Sequence, residues 1–164
     1  MAEEDVDTFS HFQYWLYSGN IITEDNGEKL DQNDDGKEWS MLVNLFIFAE
    51  ARGIPGLQNA AIDRIIDKQS ATETIFLENI HSIYENTHKT SPLRRLFVDF
   101  THNWAHTDDE NPGGSWFDSE IYDSYDKEFL FDLTTAYCRR VKGKIEEIED
   151  FTAVRTNYHV PVPE

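Results

Sequence analysis

The chain has 164 residues and a formal net charge of −18, with 39% hydrophobic residues and one cysteine. This length suits one compact domain with a short extension, and the apolar content is sufficient for a core. The negative charge excludes nucleic-acid binding through the phosphate backbone and opposes binding to anionic membrane surfaces. The longest stretch without a Lys, Arg, Asp or Glu is sixteen residues, 8–23, whereas a membrane span needs roughly 20. The lone Cys138 forms no disulfide framework and the acidic N-terminus predicts no secretory signal, so we expect an intracellular location, in cytoplasm or nucleus.

Six helices are predicted in chain order, with little or no strand. The first helix runs from about Asp7, which caps it together with or in place of Thr8, to Ser18, and Gly19 ends it in a left-handed conformation. A polar, acidic loop over residues 23–37 follows. The second helix, over about 38–52, is apolar nearly all round and must therefore be covered on most sides.

The third and fourth helices follow directly. Pro55 at a first-turn position begins the third helix, which we expect to end near Lys68. Ser70 or Thr72 is the predicted cap of the fourth helix, which extends through Tyr84.

Ser91 and Pro92 predict the start of a fifth helix, and a sixth begins near Asp126. The tail from Val154 contains two prolines and is expected to be extended or frayed. The predicted organisation is therefore three regions: 1–70, 71–150 and 151–164.

The first helix carries a candidate partner-binding patch. Phe9, Phe12, Trp15 and Leu16 recur at helical spacing and share a broad face. Leaving one such side chain in water costs roughly 1.5–3 kcal/mol relative to burying it. These four residues therefore need a cover, which the second helix, another subunit or residues missing from this chain could supply. Our hypothesis is that they form an exposed patch for a protein partner or for a second copy of the chain.

The same helix carries a family resemblance. Residues 5–21 match the pattern D-x-x-x-F-x-x-F-x-x-W-L-Y-[ST]-G-x-I, which resembles the segment that closes the middle of a BTB/POZ domain. Further similarity covers the next two helices and the helical extension of fungal-type BTB proteins, in the family's order. These matches lie at Leu42, Leu45, Phe46 and Ala49, at 54–63, at 83–87, at 91–96, at Trp116 and at 128–130.

The resemblance implies a truncated BTB/POZ-like helical bundle, mainly α, that binds other proteins and performs no catalysis. A whole BTB domain opens with a strand hairpin, a long helix and a further strand, and the sequence before residue 5 contains none of these. We therefore expect the C-terminal part of the fold, and leave open whether Met1 is the true start. The family's cullin-contact motif lies upstream of the matched segment, so a cullin-type ligase is implied by family resemblance only.

Two alternatives involve metals. Residues 31–36 fill positions 1, 3, 5 and 6 of an EF-hand calcium loop, but position 12 is Leu42 where a glutamate is required. A cation-binding acidic protein built on residues 31–38 is thus one alternative. His102 and His106 are four residues apart, a spacing compatible with zinc, and a metal-dependent enzyme using them is the other. We assign no metal, cofactor or catalytic residue.

The remaining candidates favour structural roles. Cys138 stands beside Arg139 and Arg140, and we expect it to be a half-buried apolar residue rather than a reactive thiol. Arg94 and Arg95 lie at the start of a helix, where the dipole disfavours cations, so we expect a carboxylate partner, with Glu85 and Asp99 as candidates.

Overall fold

The computed structural model describes residues 6–22, 35–104, 125–143 and 148–163, and over these ranges the protein is mainly α-helical without β-strand. The prediction of a mainly α bundle is thereby confirmed. The helices are α1 (Val6–Ser18), α2 (Asp35–Arg52), α3 (Pro55–Thr72), α4 (Ile80–Asn86), α5 (Pro92–Trp104), α6 (Lys127–Val141) and α7 (Phe151–Val154), with 3-10 turns at Leu77–Asn79 and Arg155–Tyr158. None of these helices combines the length and the apolarity needed to cross a bilayer.

The chain divides into two compact units. Unit 1 contains residues 1–79 and 152–164, and unit 2 contains residues 80–151. The predicted boundary after residue 70 falls inside α3, and the carboxyl-terminal residues belong with the first helices rather than forming a region of their own.

The core of unit 1 is the pair α2 and α3. As the apolar pattern of α2 predicts, the helix is covered on most sides, and every residue from 38 to 50 is buried or half-buried. Gly53, at φ 62°, and the bond from the Ile54 N–H to the Ala49 carbonyl (2.9 Å) turn the chain into α3. The fully buried side chains of the two helices are Trp39, Leu42, Val43, Leu45, Phe46, Ala49, Leu57, Ala61, Ile62, Ile65 and Ile66.

The end of α3 differs from the prediction. Thr72 does not cap a new helix, because its Oγ1 donates back to the Lys68 carbonyl at 2.9 Å and the helix continues through it. This back-bonding is an alternative use of a threonine hydroxyl that local sequence does not distinguish from a cap. Glu73, at φ 52°, ends α3, and α4 begins only at Ile80.

An ion pair and a side-chain hydrogen bond join α2 to its neighbours within unit 1. Lys68 Nζ lies 2.6 Å from Glu38 Oε2, and both side chains are nearly buried. Ser40 Oγ donates to Asn79 Oδ1 at 3.0 Å. These contacts fix the relative register of α2, α3 and the 3-10 turn that follows.

Unit 2 is built from α4, α5 and α6. The predicted start of a helix near Asp126 is confirmed, since α6 begins at Lys127. Asp126 caps it, because its carboxylate accepts from the Glu128 N–H at 2.7 Å. Aromatic rings fill the core: Phe129 packs edge-on against Tyr84 with centroids 5.7 Å apart, and Phe100 against Phe151 at 4.6 Å.

The predicted extended tail is wrong for residues 151–158. These residues form α7 and a 3-10 turn, and Tyr158 is buried. The reason is tertiary: Asp67 of α3 accepts a hydrogen bond from Arg155, which lies 88 positions later in the chain. The local proline content does not predict such a contact.

Candidate functional site

The inner side of α1 is anchored on unit 1 by aromatic contacts. The Phe12 and Phe48 rings lie 5.2 Å apart, and the Phe9 and Phe48 rings 6.5 Å. Trp15 stacks on Phe12 and covers Gly56, where an added Cβ would lie 3.5 Å from the indole. Phe12 and Trp15 are consequently half-buried against the protein's own helices.

The end of α1 matches the sequence-based expectation. Gly19 adopts φ 73° and its N–H donates to the Trp15 carbonyl at 2.8 Å. The following Ile21 is buried. The helix is therefore held at its carboxyl end as well as through its inner rings.

The opposite side of α1 is a second apolar surface. We call Val6, Phe9, Leu16 and Tyr17 the outer stripe, because the 3.6-residue period places them within about a third of the helix circumference. All four are exposed, with relative accessibilities of 76%, 41%, 60% and 89%. The uncharged Gln13 is the other residue in this arc, so the stripe contains no charge.

The structure separates the four predicted patch residues. Leu16 belongs to the outer stripe, whereas Phe12 and Trp15 contact Phe48 and Gly56. Phe9 lies at the border of the two sides, because it is 41% exposed and its ring is also 6.5 Å from that of Phe48. Sequence reasoning did not place Val6 and Tyr17 in the patch. The signal was available, since spacings of three and four from Val6 lead through Phe9 and Gln13 to Leu16.

A polar cluster in unit 2 centres on the buried Arg94. Its Nη1 lies 2.9 Å from Glu128 Oε2, its Nε donates to Thr87 Oγ1 at 3.0 Å, and its Nη2 donates to the carbonyls of Tyr84 and Thr87. The guanidinium also lies over the Tyr84 ring. The predicted carboxylate partners, Glu85 and Asp99, are wrong for Arg94, because helix packing brings Glu128 of α6 to it.

Two ionisable groups of this cluster are perturbed. Hydrogen bonds from Lys89 and Arg94 hold the pKa of the Glu128 carboxyl below its usual range. Burial, together with the hydrogen bond from its hydroxyl to Asp132 Oδ2 (3.0 Å), raises the pKa of Tyr84 well above that of a free phenol. The shifts favour the forms that these contacts use, which are an ionised Glu128 carboxylate and a neutral Tyr84 hydroxyl that donates to Asp132.

The calcium-loop alternative meets a geometric obstacle. An EF-hand loop beginning at Asp31 would extend to residue 42, but α2 is helical from Asp35 and Leu42 is fully buried. Glu38 is paired with Lys68. Residues 31–34 lie outside the described ranges.

The structure describes only the first residue of the predicted histidine pair, His102 and His106. His102 is buried and its ring lies 4.7 Å from that of Tyr137, while His106 lies outside the described residues. Over the described ranges, no group of three or more His, Cys, Asp or Glu side chains is placed to hold a metal ion.

Cys138 is exposed, not half-buried as predicted. It lies on the outer face of α6 in an open groove of about 400 Å³. The other lining residues are Phe131, Thr134, Thr135, Arg139 and Lys142.

Comparison with protein-family models, with curated proteins and with solved structures gives no match.

Proposed function

We propose that the protein is a non-catalytic protein–protein interaction module of BTB/POZ type, and that the outer stripe of α1 is its docking face. The observation that carries this proposal is the exposure of four apolar or aromatic side chains along one uncharged arc of a short helix. Contiguous apolar surface of this kind marks binding sites more often than isolated exposed residues do.

The inner rings give this docking face a rigid base. Phe12 and Trp15 hold α1 on Phe48 and Gly56, so the helix meets a partner already formed and oriented. Preformed elements lose less conformational entropy on binding. Of the four residues predicted from the sequence, Phe12 and Trp15 thus anchor the helix and Leu16 faces the partner. Phe9 does both, since its exposed ring also contacts Phe48.

The BTB/POZ assignment is supported by the motif in residues 5–21. We extend it no further than protein binding, and membership of a cullin-type ligase stays a family possibility to which no residue of this chain is assigned. The net charge of −18 favours partners that present basic groups around an apolar centre, since complementary charge speeds encounter and selects partners.

Binding of an apolar fluorescent dye tests the docking face. Replacing Leu16 and Tyr17 by glutamine removes half of the stripe without touching the Phe12–Phe48 contact, so the fold should persist while dye fluorescence falls. Phe131→Gln is the matched control, because Phe131 is a comparably exposed aromatic residue on α6 (72%). A wild-type chain that binds no dye, or a signal equally affected by both variants, would contradict the proposal.

A further inference from the structure

Three polar side chains form a line along α3. Asn59, Asp63 and Asp67 are four residues apart, which places them on one side of the helix. Each of them contacts the carboxyl-terminal segment, residues 152–163. We call this line the α3 ledge.

The first contact joins the side chain of Asn59 to the main chain of the carboxyl-terminal segment. Asn59 Nδ2 donates to the Val160 carbonyl at 3.0 Å, and Asn59 Oδ1 accepts from the Val160 N–H at 2.8 Å. One side-chain amide thus satisfies both backbone groups of one residue, as a neighbouring β-strand would.

The next two contacts recognise side chains. Asp63 Oδ1 lies 2.9 Å from His159 Nε2 and 3.7 Å from Arg155 Nη1. Asp67 Oδ1 accepts from Arg155 Nη2 at 2.8 Å. Arg155 is also held by its own segment, through a bond from Nε to the Thr152 carbonyl (3.1 Å).

An apolar anchor completes the contact. Arg155–Tyr158 is a 3-10 turn, in which residues three apart lie on the same side. Tyr158 is only 2% exposed, and residues 161–163 are exposed beyond it. Main-chain bonds, a charged pair and one buried aromatic ring are the components by which folded domains bind short peptides.

The charged part of this contact is replaceable. The side chains of Arg155, Asp63, Asp67 and His159 are each between 25% and 42% exposed. Ion pairs that are open to solvent contribute little to stability. Of the contacts named above, the buried Tyr158 ring and the Asn59 amide bonds are therefore the stronger ones.

We propose that the α3 ledge is a peptide-binding site, that residues 155–160 are its intramolecular ligand, and that it accepts the same motif from a separate protein chain. The ligand class is a segment with arginine three positions before a tyrosine, followed by histidine and a β-branched residue. A partner carrying this motif displaces the resident segment and occupies its contacts. The site is separate from the outer stripe of α1 and does not depend on the function proposed for it.

A labelled synthetic peptide of residues 150–164 tests this proposal on the full chain by fluorescence anisotropy. The chain variant Arg155→Ala/Tyr158→Ala weakens the resident segment and leaves the ledge intact. A tethered ligand competes at an effective concentration on the order of millimolar, so the variant should bind the free peptide at least about tenfold more tightly than wild type does. Circular dichroism establishes that the variant keeps its helices. The single variant Arg155→Ala weakens the resident segment less, because it leaves the buried Tyr158 in place.

Two controls identify the ledge as the site. Adding Asn59→Leu to the released variant should abolish binding of the peptide, and a peptide with Arg155→Ala/Tyr158→Ala should not bind to any form of the chain. In a charge exchange, Asp67→Arg in the released chain should favour a peptide with Arg155→Asp over the natural peptide. Equal binding to wild-type and released chains, or binding that is insensitive to Asn59→Leu, would overturn the proposal and leave the segment as an ordinary part of the fold.

Discussion

Arg94 shows how a single residue organises unit 2. Its guanidinium donates to two backbone carbonyls, a hydroxyl and a carboxylate, and these acceptors lie on α4, on the loop after it and on α6. The sequence predicted a structural carboxylate pairing for this arginine but not its partner. Glu128 is 34 positions away, and nothing in the local pattern selects it over nearer acidic residues.

Arg94→Lys is expected to destabilise the protein by about 2 kcal/mol or more. A lysine ammonium cannot reproduce the planar fork, so buried carbonyls of Tyr84 and Thr87 lose their donors at a cost of about 1–3 kcal/mol each. Urea unfolding monitored by circular dichroism measures the difference. Arg95→Lys on the neighbouring exposed position is the control and should change stability by less than about 0.5 kcal/mol; equal effects of the two substitutions would contradict this account.

Glu128 makes the contribution of the same cluster to folding stability depend on pH. Because the folded protein lowers the pKa of its carboxyl, the ionised form contributes stability above the unfolded pKa of about 4.3, and this contribution is lost as the pH falls through the folded value. Glu128→Gln should therefore be less stable than wild type at neutral pH, and the difference should shrink below about pH 4. Denaturant midpoints of both proteins across this range measure it, and a constant difference would show that the carboxylate charge is not responsible.

At the scale of elements, the sequence predicted what local pattern determines. The span of α1, the carboxyl end of α2 and the starts of α5 and α6 follow from apolar spacing and from Pro and Gly positions, whereas α2 begins at Asp35, inside the loop predicted over 23–37. The end of α3 and the helical turn at 155–158 do not follow. They depend on the hydroxyl of Thr72 bonding backwards and on contacts of Arg155 and His159 with α3 that span 88 and 96 positions.

The α2–α3 pair should show a measurable energetic coupling between Glu38 and Lys68. The two side chains are 8–13% exposed and 2.6 Å apart, so their charges are poorly screened. A double-mutant cycle with Glu38→Gln and Lys68→Met should give an interaction energy of about 1–3 kcal/mol, with the double variant more stable than the sum of the two single losses predicts.

Additive effects in that cycle would contradict a direct pairing. A second cycle with Asp67→Asn and Arg155→Met is a useful comparison. Asp67 is next to Lys68 in α3, but its pair with Arg155 is 29–42% exposed. Its coupling should be under about 1 kcal/mol.

At the scale of the molecule, each unit has a buried helical core, and an apolar face on α1 is exposed within the part of the chain that the structure describes. The sequence predicted that the aromatic helix near the N-terminus is a docking element. It could not assign the four predicted patch residues to the covered or the exposed side of the helix, because that assignment depends on where Phe48 and Gly56 lie relative to α1. Spacing alone placed Phe9, Phe12, Trp15 and Leu16 on one broad face.

The central claim, that the outer stripe of α1 is a protein-docking face, is tested most directly by light scattering of the purified chain over a range of protein concentrations. With no other partner present, the stripe should pair with a second copy, and the average mass should exceed the single-chain value of 19.1 kDa and rise with salt as the −18 charges are screened. Leu16→Gln/Tyr17→Gln should return the mass to that value while Phe131→Gln does not. A wild-type mass of one chain at every concentration and salt level, or association that survives the double substitution, would contradict the account.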